Sequence, residues 1–431
     1  MRSVQTLALA MATGLLPLAA VGADVDPYGS NNGTFPTAEQ WQGPFRIANF
    51  DFPKHQPHDR WLNGKGMGEI STGNAEAYME TLRTFVEPSV KAMIDAPLEW
   101  DHAAEGWYDM PWTAGDREPL LGAFSGQTIL ADAFAEFGQK AAFTNHAVIY
   151  YNDVAAGMLG RIWANPFSPD FRAIDFPEGS IVIKALGAEV TPENFPPVEG
   201  SQIWNVFAKP FDGSSNTEQV VDTRVIQFDI VVKDSIAAPG TGWVFSTYIY
   251  DKDAAGETTW DKLVPLGAMW GNDPELALQA DGGTGKLMET WVNPDAPAYS
   301  SATLGWGGRL SGPMDLAERQ NILFTDGTRA ETMTEVSACL SCHSTGQTPF
   351  IANLYPGPNK SFPPAGQTFF LHKPGSPEWA QWYRNREGTL PFSSVEGVVG
   401  TDYNMLLTFA INTFYASTGQ TEKVTRHIDV H

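Results

Sequence analysis

The sequence predicts an α+β fold with N-terminal helices, a central antiparallel β-rich domain and a C-terminal segment of helix and loop. Three observations carry it. Residues 180–186, 202–207, 222–233 and 243–250 are strand-like and follow one another with no helical stretch between them, the pattern of an antiparallel sheet. Residues 74–93 and 146–164 instead repeat apolar side chains at helical spacing. The end of the chain combines a Cys-Leu-Ser-Cys-His run, a Pro- and Gly-rich loop and an apolar terminal helix.

Four segments follow. Residues 1–23 open with Met1 and Arg2, continue through an apolar stretch over 7–21 that contains Pro17, and close on the small residues Val21-Gly22-Ala23. This is the pattern of a cleavable secretory signal peptide, and it predicts a periplasmic protein. Residues 24–165 begin irregularly up to about residue 70. A helix is then expected from Asn74, with Met79, Leu82, Phe85, Val86, Val90 and Met93 on one face and an interruption near Pro88. A second helix is expected over 146–164, with Tyr151, Ala155, Met158, Leu159 and Ile162 along one side.

Residues 166–330 form the β-rich part. Ile226, Phe228, Ile230 and Val232 alternate with Gln227, Asp229 and Lys233, and Asp212-Gly213 and Pro239-Gly240 supply turns. Residues 331–431 carry the Cys-containing run, the loop over 355–366, a short helix over 379–386 and a helix starting near Asp402. That segment is either a small domain of its own or one half of a composite with the β-rich part.

The chain has 27 basic and 50 acidic residues and a net charge of −23. Such a surface repels phosphate backbones, which argues against nucleic-acid binding, and it tolerates a basic protein partner while keeping an exported chain in solution. No apolar run after the leader is long enough for a membrane span. The two cysteines lie three residues apart, so they do not form a long-range disulfide framework. Glycine-rich phosphate loops, paired zinc-protease histidines and nucleophile elbows are all missing from the sequence. The 14 Trp and 25 Phe are assigned to core packing and to an apolar wall around a cofactor.

Cys339, Leu340, Ser341, Cys342 and His343 supply two thiols and an imidazole at i, i+3 and i+4, which one helical turn brings to one face. A haem c needs two thiols to add across its vinyl groups and an imidazole to bind its iron. A zinc site would need a second pair of ligands, a redox dithiol would not need His343, and a local disulfide is a third alternative. Export, the adjoining histidine and the lack of other cysteines favour one covalently attached haem c, with His343 as the proximal ligand. Thr332-Met333-Thr334-Glu335 reads as a capping box before the motif, and Gly346 as a stop behind it.

Four side chains are candidates for the sixth iron position: Met405, the only Met after the motif, His372, Met269 and His146. Arg309 and Arg319 are candidate partners for haem propionates. These residues together predict a periplasmic electron-transfer protein working with a redox partner. The alternative is an enzyme or gas-binding sensor with an exchangeable sixth site.

The runs Phe176-Pro177-Glu178-Gly179, Thr241-Gly242-Trp243-Val244-Phe245, Leu263-Val264-Pro265-Leu266-Gly267-Ala268-Met269-Trp270-Gly271-Asn272-Asp273-Pro274 and Leu304-Gly305-Trp306-Gly307-Gly308-Arg309-Leu310 resemble those of large bacterial periplasmic single-haem cytochrome c-type proteins. There, as here, they precede a late haem motif. The likeness spans roughly residues 145 to 350 and implies a haem protein without naming a substrate. A weaker similarity to haem proteins of the cytochrome c-prime-beta type implies an attachment motif placed after an antiparallel sheet and an iron open on one side.

Overall fold

The computed structural model describes residues 28–62, 64, 66–302, 304–312, 322–330, 336–358 and 368–420. The leader over 1–23, the capping-box pattern over 332–335 and Arg319 lie outside these residues, as does most of the loop over 355–366. The fold is mixed α+β, with a large antiparallel sheet and few helices.

Eight strands build that sheet: β1 (Phe124–Ile129), β2 (Phe143–Tyr151), β3 (Ile181–Ala188), β4 (Ile203–Ala208), β5 (Gln219–Lys233), β6 (Trp243–Tyr250), β7 (Leu263–Met269) and β8 (Thr290–Val292). Their order is β1-β2-β3-β5-β6-β7-β8. The fifteen-residue β5 is long enough to pair β4 along its first half and β3 along its second. The four strands expected from sequence are present, and β6 spans the expected residues. The sheet also draws β1 and β2 from before residue 165, so it crosses the boundary read from composition.

Among the described residues, three α-helices and two helical turns accompany the sheet: α1 (Ala75–Asp95), α2 (Asp153–Ile162), α3 (Ala298–Ser301), α4 (Cys339–His343) and α5 (Met405–Thr418). Five short strands, β9 (Ile322–Phe324), β10 (Arg329–Ala330), β11 (Gln347–Thr348), β12 (Phe369–Leu371) and β13 (Val399–Gly400), form two small sheets, β10-β9-β12 and β11-β13. A 3₁₀ helix over Trp379–Tyr383 stands where a short helix was expected. No helix among the described residues is long and apolar enough to cross a membrane.

Two expectations are corrected. Residues 146–151 belong to a strand, not to the second helix. Val148, Ile149, Tyr150 and Tyr151 are β-branched or aromatic and fit a pleated surface. Asn152 then starts α2, its Oδ1 accepting from the Ala155 amide at 3.0 Å. The same oxygen takes the Ile181 amide at 3.0 Å, so this cap also ties α2 to β3.

The first helix is not interrupted at Pro88; α1 runs through it for 21 residues. An interior proline costs a helix about 3 kcal/mol. Here Tyr78, Met79 and Leu82 before it and Val90, Met93 and Ile94 after it are all buried, and that apolar face offsets the lost hydrogen bond.

Alternation along the strands produces two cores. Val148, Tyr150, Ile183, Phe228, Ile230, Val232 and Tyr248 point to one face and pack with α1. The opposite face carries Ala147, Tyr151, Leu186, Phe245 and Met269, packed with α2, the turn around Leu340 and the inward side of α5.

A candidate haem site between the sheet and the motif turn

The Cys-containing motif forms a single helical turn, α4, whose start is fixed by long-range contacts. Residues 336–338 are not helical, so the turn begins at Cys339. The Cys339 amide donates to the Leu310 carbonyl at 2.9 Å, and the Trp306 amide to the Ser337 carbonyl at 3.0 Å. Gly305 is required beside them, because a Cβ there would come within 2.3 Å of the Ser337 carbonyl oxygen. Ser341 Oγ accepts from the Ala338 amide at 2.7 Å and closes the first turn. After His343, the Gly346 amide donates back to the His343 carbonyl at 3.1 Å and ends it.

Cys339 and His343 line a cleft between α4, the start of α5 and the sheet, with a cavity volume of about 220 Å³. The register sets its sheet wall. Tyr151, Val182, Val231 and Phe245 are mutual neighbours across four strands, and Ile149, Lys184, Asp229 and Thr247 form the next row. All eight line the cleft, with Leu406 and Phe409 opposite on α5. Ile149, Val182 and Val231 are apolar and only half-buried at the middle of a sheet. Cys342, also half-buried, is on the same turn one residue before His343.

His343 is oriented by two contacts. Its ring packs edge-on against Phe245 with centroids 4.8 Å apart. Its Nδ1 is 2.8 Å from the Tyr403 carbonyl oxygen. A carbonyl only accepts, so Nδ1 carries the proton, and in the neutral ring Nε2 keeps its lone pair. This is how a protein holds a histidine for a metal: the hydrogen bond fixes the tautomer and raises the basicity of the other nitrogen.

The Tyr403 carbonyl is held in turn by an unusual backbone. Asp402 and Tyr403 are successive non-glycine residues in the left-handed region, with φ of 52° and 60°. The Tyr403 hydroxyl donates to the Arg386 carbonyl at 2.9 Å. Asn404 caps α5, its Oδ1 accepting from the Leu407 amide at 2.9 Å and from the Tyr151 hydroxyl at 3.0 Å.

The four candidates for the sixth position are scattered. His146 alternates away from the cleft, on the α1 face of β2, where it is 2% exposed and 3.2 Å from Glu189. Met269 is on the cleft face beside Phe245, but one strand further toward β8 and fully buried in the core. His372 lines a separate shallow hollow with Trp382 and Phe392. Met405 alone reaches the cleft. Its sulfur lies 3.9 Å from Thr345 Oγ1, two residues past His343, and so against the wall that carries His343.

Arg309 is not a surface group awaiting a propionate. It is fully buried, stacked on Trp306 and Tyr383, and it donates to the carbonyls of Asn272, Gly282, Trp306 and Asp273 at 2.8–3.3 Å. Burial lowers its pKa. Its role is to staple the glycine-rich loop that holds α4.

Phe245, Tyr403 and the sheet wall were missed as site residues in the sequence. A backbone carbonyl leaves no side-chain signal, and Phe245 reads only as a strand residue.

The donor set fits a haem c. Two thiols and an imidazole share one turn, the imidazole is set with a lone pair on Nε2, and a mainly apolar cleft adjoins Cys339 and His343. No group of three or more His, Cys, Asp and Glu side chains arranged to hold a metal ion exists among the described residues. Compared with known proteins, the chain matches no family model, no curated protein and no solved structure.

Proposed function

We propose that this chain is an exported, periplasmic c-type cytochrome that carries one covalent haem c and transfers electrons. The observation that carries the reading is the 2.8 Å bond from His343 Nδ1 to the Tyr403 carbonyl on the turn that also bears Cys339 and Cys342. In this reading the Cys339 and Cys342 sulfurs form thioethers with the porphyrin, and His343 Nε2 binds the iron. The bound group supplies a one-electron couple.

The protein's own residues do the rest. Ile149, Val182, Val231, Leu406 and Phe409 would exclude water from a bound porphyrin, and Phe245 packs against the His343 ring and restricts its turning. Lys184, paired with Asp229 at 3.9 Å, is the only Lys or Arg among the described residues lining the cleft and is the proposed partner for a propionate in place of the buried Arg309. The net charge of −23 steers a basic redox partner.

The test is production of the chain together with a working haem-attachment system, followed by mass spectrometry. The expected result is one added haem on the wild-type chain and none bound covalently on the Cys339→Ala/Cys342→Ala variant. A wild-type chain that emerges without covalent haem sinks the proposal.

A second reading, an enzyme or gas-binding protein, is favoured by one observation: the only candidate sixth ligand in the cleft packs on the same wall as His343. Carbon monoxide separates the two. A ferrous spectrum that carbon monoxide leaves unchanged rules out the second reading, and a spectrum it shifts rules out the carrier with two protein ligands.

A further inference from the structure

Asp402 is a fully buried carboxylate at a place where the chain would be expected to avoid one. It bridges the motif wall to the sheet. Its Oδ2 accepts from Lys233 Nζ at 2.6 Å and from the Phe176 amide at 2.8 Å, and its Oδ1 accepts from Trp243 Nε1 at 2.7 Å. Its own amide donates to the Gly388 carbonyl at 3.0 Å. Gly388 must be a glycine here, since a Cβ would fall 1.8 Å from Asp402 Oδ1.

Burial pushes the carboxyl pKa up while Lys233 and the Trp243 donor pull it down, so four elements are arranged around a group that is costly to bury. A simple packing role would be filled more cheaply by an apolar side chain.

What these contacts hold in place is backbone. With its carboxylate fixed at both oxygens, Asp402 is held at φ 52°, and Tyr403 follows at φ 60°. Both conformations are costly for a non-glycine residue and persist only where the surroundings over-determine them. The direct product of that strain is the direction of the Tyr403 carbonyl, which accepts from His343 Nδ1.

We propose that Asp402, clamped by Lys233 and Trp243, is a positioning residue that sets the basicity of His343 through the Tyr403 carbonyl, and so tunes the reduction potential of the haem. This rests on the haem reading above, but its first link, from Asp402 to the His343 tautomer, belongs to the polypeptide alone. A firm Nδ1–H···O=C bond makes the imidazole a stronger donor and favours the oxidised iron. Loosening that bond raises the potential.

The test uses the full chain with Asp402→Asn, which keeps the shape and removes the charge. Trp243→Phe is a milder variant that removes one donor. Asp175→Asn is the control, because Asp175 also reaches Lys233 at 3.3 Å but is 68% exposed and does not touch Asp402. Two readouts are taken: nitrogen NMR of the His343 tautomer in the apoprotein, and the midpoint potential of the holoprotein.

Asp402→Asn is expected to change the single Nδ1–H tautomer into a mixture and to shift the reduced-to-oxidised ratio about tenfold toward reduced, 59 mV for one electron. Trp243→Phe moves both in the same direction by less, and Asp175→Asn moves neither. If Asp402→Asn fails to fold, the Trp243→Phe pair of measurements decides the matter. An unchanged tautomer together with an unchanged potential in the folded variant overturns the proposal. A wild-type chain without covalent haem defeats the haem reading instead, and the apoprotein tautomer then decides this one by itself.

Discussion

The two faces of the large sheet use the same strands to opposite ends. On one face α1 covers the strands completely: Ile183, Ile230, Val232 and Val244 are fully buried, and even the polar contacts are internal, with Trp61 Nε1 and the Tyr78 hydroxyl both 2.7 Å from Asp234 Oδ2. On the other face, α2, α5 and the motif turn close around the edges of the sheet and leave Ile149, Val182 and Val231 half-covered in a cleft. A sheet apolar on both faces needs both covered. The face left open is the one that meets Cys339 and His343, so the incomplete packing lies where the proposed haem would sit.

Adjacent residues on β5 give the sharpest way to break this comparison. Ile230→Ala, on the closed face, is expected to cost about 2–5 kcal/mol in urea unfolding of the apoprotein. Tyr78→Phe comes next, at about 1–3 kcal/mol, because it withdraws a buried donor from Asp234. Val231→Ala, one residue along but on the open face, is expected to cost less than about 1 kcal/mol in the apoprotein, since its side chain is only half-buried. Equal losses at Ile230 and Val231 would show that the two faces are packed alike.

The closed face also keeps a buried charge cluster with a pH signature. Asp109 Oδ2 is 2.9 Å from His102 Nε2 and accepts the Asn49 amide at 2.7 Å, while its Oδ1 is 3.3 Å from Arg117. Burial pushes its carboxyl up, but Arg117 and His102 outweigh it, and the pKa is net lowered. A carboxyl whose folded pKa lies below its unfolded one stabilises the protein above the ordinary carboxylate range and stops doing so as pH falls through the folded value. Asp109→Asn is therefore expected to destabilise the protein at neutral pH, with the difference from wild type shrinking on acidification. A difference constant from neutral pH to strong acid would refute this.

At Met405 no spectroscopic effect is expected. Met405→Leu conserves volume and is expected to cost under about 1.5 kcal/mol and to leave the ferric absorption spectrum of the holoprotein unchanged. A displaced spectrum would make its sulfur an iron ligand and would defeat the reading that Met405 only packs against the wall that carries His343.

Much of this was legible along the chain because it is local. The strand alternation over 222–233, the apolar face from Met79 to Met93 and the one-turn spacing of Cys339, Cys342 and His343 are each written in a few neighbouring residues. Errors arose where a local pattern had two solutions. Residues 146–151 fit a helical period well enough to mislead, and only pairing with β1 and β3 makes them a strand. At Pro88 the local signal for a break was real, and burial on the sheet overrode it.

The sequence alone determined the chemistry on offer: two thiols and an imidazole that one turn must bring to one side, on a chain with no other cysteines. The tertiary structure decided what surrounds them. The Tyr403 carbonyl is 60 residues from His343, and the Asp402–Lys233 clamp spans 169. Contacts of that separation follow from how a sheet face and a loop pack together, and no periodicity or spacing along the chain encodes them.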